Sequence, residues 1–542
     1  MAFHPLIDAW FAETYGKPTA IQSAAWPLIE AEKNVLASAP TGSGKTLTGF
    51  LSAISRFCTG GYDAEKLSVL YLSPLKVLNE DIRRNLLEPL AGIRGVFEKA
   101  GEVFPPISVE TRSGDTPQSE RRRFYHHPPS ILVTTPESLS ILLLNPRGRE
   151  VLSTVRCIIL DEIHSVLGTK RGSFLSCQVD RLSLVTGAEF LRIGLSATVN
   201  PPEAAAEFLG NRRPVSIVIP PAEKDISFTV EAAGGGDDEP AIKILHRVEQ
   251  NHTTLVFAGS RRRAENLRYR INLAAGRPLS FVHHGSLSKE LRRSVEQGLA
   301  EGAIPCVVAT SSLELGIDIG SADEVILAGS PASVAAALQR IGRSGHGVGR
   351  TSRGHLIPLH NGDLLSAAAL ATGIRDREIE EIRPIENPLD ILTQIILALC
   401  VERDHHINEL YTLLRGFYVF RNLARPMYDR VIAMLAGHSQ ASANAPAHLS
   451  RLRELKVRLY WDKVSGMLSA APGLLLLLYQ SGGMITSRGL YAMRIAEGGG
   501  GGKGKIGELD EEFVWERRIG DNFNFGNRSW QITAIGNEAV EV

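Results

Sequence analysis

The sequence predicts an α/β chain: two successive parallel-sheet domains, then a helical domain, then a short C-terminal β segment. Three observations predict it. Val35-Leu36-Ala37 reads as a buried strand, Ala39-Pro40-Thr41-Gly42-Ser43-Gly44-Lys45-Thr46 as a glycine-rich turn, and Leu47, Phe50, Leu51 and Ile54 as the apolar stripe of a following helix. Short apolar runs then alternate with helical patterns, the mark of a parallel sheet covered by helices, and the alternation restarts after Gly234-Gly235-Gly236-Asp237-Asp238. From about residue 385 to 480 the apolar spacing is helical, and from Phe513 to Trp530 it alternates with period two.

Composition bounds the function. A chain of 542 residues is expected to hold about three or four domains, and 44% hydrophobic residues can fill real cores. Lys+Arg and Asp+Glu are both 59, so a nucleic-acid partner must be held in local basic grooves, without help from a global field. The five cysteines (Cys58, Cys157, Cys177, Cys306, Cys400) form no C-x-x-C pair, which argues against structural zinc and against a disulfide framework, and fits a reducing cytoplasm. Met1-Ala2-Phe3-His4-Pro5 has no basic segment with an apolar stretch behind it, and the apolar run around Leu474 to Leu478 is too short to cross a bilayer, so no membrane partner is expected.

Residues 1 to about 30 read as amphipathic helices, with Trp10 and Phe11 on one and Pro18-Thr19-Ala20-Ile21-Gln22 opening the next. The Gln22 amide is donor and acceptor at once and so suits an adenine edge. In the turn, Gly42 and Gly44 let backbone N–H groups face a phosphate, and the new helix adds the positive end of its dipole. Lys45 reaches the β- and γ-phosphates and the Thr46 hydroxyl binds Mg²⁺. Leu67 to Leu72 is a strand ending in Ser73-Pro74-Leu75-Lys76, and Ile131 to Val133 is another ending in Thr134-Thr135-Pro136. Hydroxyls and helix N-termini at the carboxyl ends of strands suit nucleic-acid phosphates, which makes Pro74, Lys76, Thr134 and Thr135 candidate contacts, with a helix cap as the alternative, which Thr135-Pro136 resembles.

Cys157 to Leu160 is a continuous apolar strand with Asp161-Glu162-Ile163-His164 at its end. Adjacent carboxylates at the tip of a buried strand are costly unless a metal or proton chemistry uses them. Beside a phosphate loop, Asp161 holds Mg²⁺ and Glu162 takes the proton of the attacking water. Leu191 to Leu195 is a further strand, followed by Ser196-Ala197-Thr198, whose hydroxyls are placed to couple the nucleotide site to a nucleic-acid face.

The second series begins with the strand Thr253 to Phe257, after which Ser260-Arg261-Arg262-Arg263 opens a helix. Val282-His283-His284-Gly285-Ser286 ends another strand; with no third ligand at a fitting spacing, the histidines read as a backbone-contacting loop and not a metal site. Pro305 to Ala309 leads into Thr310-Ser311-Ser312-Leu313-Glu314-Leu315-Gly316-Ile317-Asp318. This half has no second phosphate loop, so it is a partner for the first site and not a duplicate of it. Ser330-Pro331 starts a helix carrying Gln339-Arg340-Ile341-Gly342-Arg343-Ser344-Gly345-His346, on which Gln339, Arg340 and Arg343 share a face. A guanidinium aimed at a γ-phosphate is an arginine finger, worth ~10³ to 10⁵ in rate.

Taken in order, A-P-T-G-S-G-K-T, D-E-I-H, S-A-T, A-T-S-S-L-E-L-G-I-D and Q-R-I-G-R-S-G-H resemble the motifs of a superfamily 2 DExH-box helicase, the large helicase-related (Lhr) family in particular. A phosphate loop opening on Ala39 in place of Gly fits that class. Ser73-Pro74-Leu75-Lys76, Arg112-Ser113-Gly114-Asp115-Thr116, His283-His284-Gly285-Ser286-Leu287-Ser288 and the stretch Gly507 to Glu516 match as well, so the resemblance covers nearly the whole chain. It implies two RecA-like domains, a winged-helix domain, ATP-driven 3′-to-5′ movement on single-stranded DNA, unwinding of DNA or RNA:DNA duplexes, and work in DNA repair. Many helicases of the superfamily end the last motif in Arg; here that position is His346, so the finger role passes to Arg343. In the Lhr family a Trp beyond the winged helix stacks on a base of the tracking strand; Trp530 matches it, with a place in a small β core as the alternative. A further domain follows in that family, so a chain stopping at Val542 reads as a fragment or a shortened member.

The expected organisation is therefore a RecA-like ATP-binding domain over 1–233, a second RecA-like domain over 234–384, a winged-helix domain over 385–480 and a β-rich segment over 481–542. ATP is expected between the two lobes, held by Gln22, residues 39–46, Gly316, Asp318, Arg340 and Arg343, with Mg²⁺ on Thr46 and Asp161. Lys45, Glu162, Gln339 and Arg343 are the expected catalytic set, and His164, Ser196 and Thr198 the coupling set. The expected nucleic-acid contacts are Pro74, Lys76, Arg112, Thr134, Thr135, Ser260, Arg261, His284, Thr310, Ser311 and Trp530. An RNA helicase with the same motor and a nucleotide-gated clamp are the rival readings.

Overall fold

Seven parallel strands build the first sheet: β1 (Asn34–Ser38), β2 (Val69–Leu72), β3 (Val109–Arg112), β4 (Ile131–Thr134), β5 (Cys157–Leu160), β6 (Leu191–Ser196) and β7 (Val215–Val218), in the order β3-β4-β2-β5-β6-β1-β7. β2, β4, β5 and β6 are buried along their whole length, as strands covered on both faces must be, and their apolar runs reflect it. Leu160 pairs with Gly194 and Ser38 with Ser196, so the ends of β5, β6 and β1 lie side by side. This is what brings the phosphate loop, the acidic pair and Ser196 to one edge. The structure is a computed structural model and describes residues 3–40, 42–74, 78–114, 116–221, 225–231, 236, 238–314, 322–345, 351–438, 456–481, 490–495, 505–510, 513–514, 517–525, 528–536 and 539–542.

A second parallel sheet contains β8 (Ile226–Val230), β9 (Thr254–Ala258), β10 (Ser280–His283), β11 (Cys306–Ala309), β12 (Glu324–Ala328) and β13 (Ser352–Ile357), ordered β10-β11-β9-β12-β13-β8. Next come helices Leu389–Glu402, Ile407–Leu414 and Arg425–Leu435, with β14 (His405–His406), β15 (Leu459–Asp462) and β16 (Met467–Ala470) in the order β14-β16-β15. Three helices and an antiparallel hairpin make this region a winged helix, where sequence spacing showed only helices. The wing turns at Asp462, whose Oδ1 accepts from Val464 N at 2.9 Å, and at Gly466, where φ is +73°. A Cβ on Gly466 would lie 2.6 Å from His406 Nε2. The C-terminal strands are β17 (Leu490–Arg494), β18 (Lys505–Asp510), β19 (Asn522–Phe525), β20 (Arg528–Gln531), β21 (Ala534–Ile535) and β22 (Ala539–Glu541), with β19 and β20 a separate hairpin.

The chain divides into two units: Met1–Ala39, Gly44–Pro220 and Glu381–Ile485 form one; Pro40–Ser43, Pro221–Glu380 and Thr486–Val542 form the other. The first boundary therefore falls after Pro220, ahead of the expected break at 233, because β8 joins the second sheet through Phe228 opposite Gly354. In the first unit the winged helix shares one apolar core with the sheet, Ile395, Ile396, Leu410 and Tyr418 packing with Leu142, Phe208 and Leu209. Buried polar groups fix that contact. Asp180 Oδ2 accepts from Tyr418 N at 2.9 Å, and the buried Arg181 pairs with Glu402. In the second unit Met493, Leu509, Phe525 and Val540 enter the core of Val308 and Ile326. Glu508 N donates to Ser286 O at 3.1 Å beside the bridge Leu287–Gly507, and a Cβ at Gly507 would lie 2.2 Å from the Ser286 carbonyl, so only glycine permits the approach.

Candidate functional site

The phosphate loop is shaped by two left-handed glycines, Gly42 at φ +81° and Gly44 at φ +82°, conformations that cost a residue with a Cβ. Gly44 caps the helix Lys45–Cys58, so the loop ends on a helix N-terminus. Lys45 is buried and its Nζ donates to Ala39 O at 2.5 Å, bending the ammonium back over the loop. Ser43 Oγ closes the turn on Pro40 O at 2.8 Å, and Thr46 is half-buried beside it. Gln22 lies under this loop. Its Oε1 accepts from Thr19 N at 3.0 Å and its Nε2 donates to Gly44 O at 3.3 Å. These two bonds use one N–H and one lone pair of the amide, which has a second of each, and Gln22 is buried. Thr41 lies outside the described residues.

Asp161 and Glu162 are both buried at the end of β5. Asp161 accepts from Glu162 N at 2.8 Å through Oδ1 and from the Tyr71 hydroxyl through Oδ2. Burial first, and then the Glu162 charge, raise the Asp161 pKa; the Tyr71 hydroxyl and the Glu162 N–H oppose the rise. Glu162 has φ +50°, a left-handed conformation unfavourable for a residue with a Cβ and held here by the carbonyl bonds it accepts from Ser165. His164 links the acidic pair to Ser196-Ala197-Thr198. The Ala197 N–H can only donate, so His164 Nδ1, 3.0 Å away, is the acceptor and the ring proton sits on Nε2, which lies 3.4 Å from Glu162 Oε2. Burial, then the Lys45 charge, hold the His164 pKa down at about 4, so the ring is neutral. Ser196 Oγ is 3.3 Å from the same Nδ1, whereas Thr198 is exposed. Of the expected coupling set, His164 and Ser196 therefore meet. Thr46 and Asp161 offer hard oxygen donors of the kind Mg²⁺ takes, and among the described residues no group of three or more His, Cys, Asp or Glu side chains forms a cation cage.

In the second unit, Arg343 is buried and donates from Nε and Nη2 to Glu314 O at 3.2 and 2.8 Å. Arg340 lies over the Phe257 ring at 5.4 Å, and Gln339 is half-buried on the same helix. Gly316, Asp318 and His346 lie outside the described residues.

The expected nucleic-acid contacts divide into two groups. Ser260 caps the helix Arg261–Ala275, and Ser260, Arg261 and Arg262 line a cavity of about 440 Å³ with Phe513, Arg517 and Asn524. Thr310 is half-buried, with its N donating to His283 O at 3.2 Å, and Ser311 is exposed. Arg112 lies over the rings of Phe124 and Tyr125 at 5.1 and 5.3 Å, and its buried Nη1 has no hydrogen-bond partner among the described residues. Pro74 is buried at the end of β2, and Lys76 lies outside the described residues. The structure gives the others internal work. Thr134 Oγ1 donates to Arg112 O at 2.8 Å, and Thr135 caps the helix Pro136–Leu144 by accepting from Ser138 N. His284 is fully buried, 3.1 Å from Glu265 and edge-on to Phe525. Its neighbour His283 is paired with Glu296 at 2.9 Å, so each histidine has its own carboxylate. Trp530 is half-buried, packs on the second unit's core and donates Nε1–H to Phe525 O at 3.0 Å, an arrangement of the β-core kind.

The DEAD/DEAH box helicase family matches residues 19–206, the helicase conserved C-terminal domain matches residues 238–347, and the winged helix domain of the large helicase-related protein matches residues 372–542. The Lhr helicase/probable uracil glycosylase of Mycolicibacterium smegmatis is 40% identical over all of this chain and 38% of its own length. The ATP-dependent helicase Lhr-Core of Sulfolobus acidocaldarius is 35% identical over 99% of this chain and 62% of its own. The chain thus spans less than two thirds of these relatives (38% and 62%). A solved structure of Mycobacterium smegmatis Lhr with single-stranded DNA and AMP-PNP superposes with a TM-score of 0.80 at 40% identity, over 90% of this chain and 63% of that one.

Proposed function

The chain belongs to the large helicase-related (Lhr) family of superfamily 2 helicases, and from that premise we propose that it is an ATP-driven motor that moves 3′-to-5′ on single-stranded DNA and unwinds DNA or RNA:DNA duplexes in DNA repair. One observation supports this most: Lys45, Asp161, Glu162 and the His164–Ser196 link converge at one edge of the first sheet. Lys45 and the loop N–H groups bind the phosphates of ATP. Glu162 accepts the proton of the attacking water, and neutral His164, with its proton on Nε2, orients that carboxylate. Thr46 and Asp161 are the protein oxygens that hold Mg²⁺, which when bound neutralises charge developing on the phosphates. Arg343, just past the end of the helix that carries Gln339 and Arg340, is the proposed arginine finger. The strand is held by Arg112, Ser260, Arg261, Thr310 and Ser311. Among the described residues no helix is long and apolar enough to cross a membrane. The cysteines are free thiols, as a reducing cytoplasm would keep them.

Strand displacement tests the proposal. Duplexes of DNA and of RNA:DNA with a 3′ single-stranded tail should be opened with ATP, and those with a 5′ tail should not. Opening only from a 5′ tail overturns the polarity, and no opening of either overturns the motor.

A further inference from the structure

Between the residues expected to touch the strand and those expected to touch ATP stands a residue that neither set includes. Glu314 ends the short turn Ser311–Leu313 after β11, its N donating to Ser311 O at 3.1 Å. It is 9% exposed. Its carboxylate Oε2 accepts from Arg340 Nε at 3.1 Å and Nη2 at 3.0 Å. Its carbonyl accepts from Arg343 Nε and Nη2 at 3.2 and 2.8 Å. One residue therefore holds both arginines of the Gln339–Arg343 face, one by side chain and one by backbone. Arg340 has little freedom left, because its guanidinium also lies over Phe257 at the end of β9.

The other side of the turn is fixed as well. Ser312 Oγ donates to His283 O at 3.0 Å and lies 2.8 Å from His283 Nδ1, while His283 Nε2 faces Glu296 at 2.9 Å. The turn is thus a small rigid piece, bound to β10 on one side and to the arginine helix on the other. Thr310, half-buried, and Ser311, exposed, stand at its start with hydroxyls of the kind that meet a phosphate backbone.

We propose that Glu314 is the positioning residue that couples the strand to ATP turnover: a displacement of the Thr310–Ser311 turn by bound strand reaches Arg340 through the Glu314 carboxylate and Arg343 through its carbonyl. This rests on the motor reading above. Glu314 touches neither strand nor nucleotide, so it affects the rate with strand bound and leaves both affinities alone. A charge-assisted bond at this depth is replaced poorly by water, because the partner guanidinium is left buried.

The test uses the whole chain carrying Glu314→Ala or Glu314→Gln, with ATP turnover measured against an oligothymidylate. Glu314→Ala should lower the stimulated kcat by about tenfold or more, with KM for ATP and Kd for the strand within about twofold, the pattern of an interaction used only in the transition state. Glu314→Gln, which keeps size and one acceptor oxygen, should recover part of the rate and decides the matter should the Ala variant not fold. Arg340→Ala with Glu314→Ala should be no worse than Arg340→Ala alone, because the two act as one unit. Unchanged stimulated kcat in both Glu314 variants overturns the assignment, as do effects of Glu314→Ala and Arg340→Ala that multiply. Lack of stimulation in the unsubstituted chain overturns the motor reading itself, and this assignment with it.

Discussion

Gly44→Ala probes the floor of the phosphate loop. Gly44 has φ +82°, and an added Cβ would lie 2.6 Å from Gln22 Nε2. Placing a Cβ in the left-handed region costs about 1 kcal/mol or somewhat more. The contact itself is with the tip of a flexible side chain, so Gln22 swings away at little steric cost. It then gives up the bonds with Thr19 N and Gly44 O. At about 1 kcal/mol each, these bring the total for Gly44→Ala to about 3 kcal/mol. Gln22→Ala alone loses the two bonds, about 2 kcal/mol. In the double variant the Gln22 bonds are lost once, so the sum stays at about 3 kcal/mol against about 5 kcal/mol for independent sites. Urea unfolding of the four proteins, with calorimetric binding of a non-hydrolysable ATP analogue, measures the cycle. Additive losses of stability would refute the claim that Gln22 acts through the loop. So would Gln22→Ala leaving stability unchanged.

Two further outcomes follow from the same geometry. His164 is held at a pKa of about 4 against an ordinary 6.5, so the unfolded chain takes up a proton that the fold refuses, and stability is lost as pH falls through that window by about 3 kcal/mol. Asp161, whose pKa is raised, works with the opposite sign, binding a proton in the fold as pH falls. His164→Gln removes the first effect and leaves the second, so chemical unfolding from pH 7 to 4 should show a smaller acid loss for the variant; an equal loss in both proteins contradicts the buried neutral ring. Trp530→Ala removes a ring packed on the second unit's core and its bond to Phe525 O, and should lower melting temperature with ATP turnover and unwinding falling together, at a cost of about 2–4 kcal/mol. Loss of unwinding alone, at unchanged melting temperature, would restore Trp530 to the strand.

Local sequence made the chemistry legible because each piece is written in consecutive residues: Ala39 to Thr46 as a turn between strand and helix, Asp161-Glu162 at the tip of an apolar run, Ser196 at the next. What escaped was whatever depends on distant partners. Gln22 has the donor and acceptor that an adenine edge needs, and its further bond to Gly44 O is one that no local pattern reveals. Thr135 caps the helix Pro136–Leu144, as the Thr-Pro pair itself suggests, whereas the Thr134 hydroxyl is bound across the sheet to Arg112 O, which its position alone does not show. The wing was hidden because β15 and β16 are four residues each, although Asp462 and Gly466 are turn residues that mark a hairpin. Composition marks a break at the glycine run, whereas β8, the strand before it, pairs with β13 in the second sheet. The shared core of winged helix and first sheet joins Arg181 to Glu402 and Asp180 to Tyr418, pairs no periodicity can reveal.

The central claim is that the edge of the first sheet hydrolyses ATP with Glu162 as the base. Glu162→Gln keeps the size of the side chain and its hydrogen bonding but removes the proton acceptor. Turnover with single-stranded DNA, measured beside ATP affinity in the same variant, tests the claim most directly. The account predicts affinity kept and turnover lowered by about a hundredfold to ten-thousandfold; turnover within about twofold of the unsubstituted chain would contradict it.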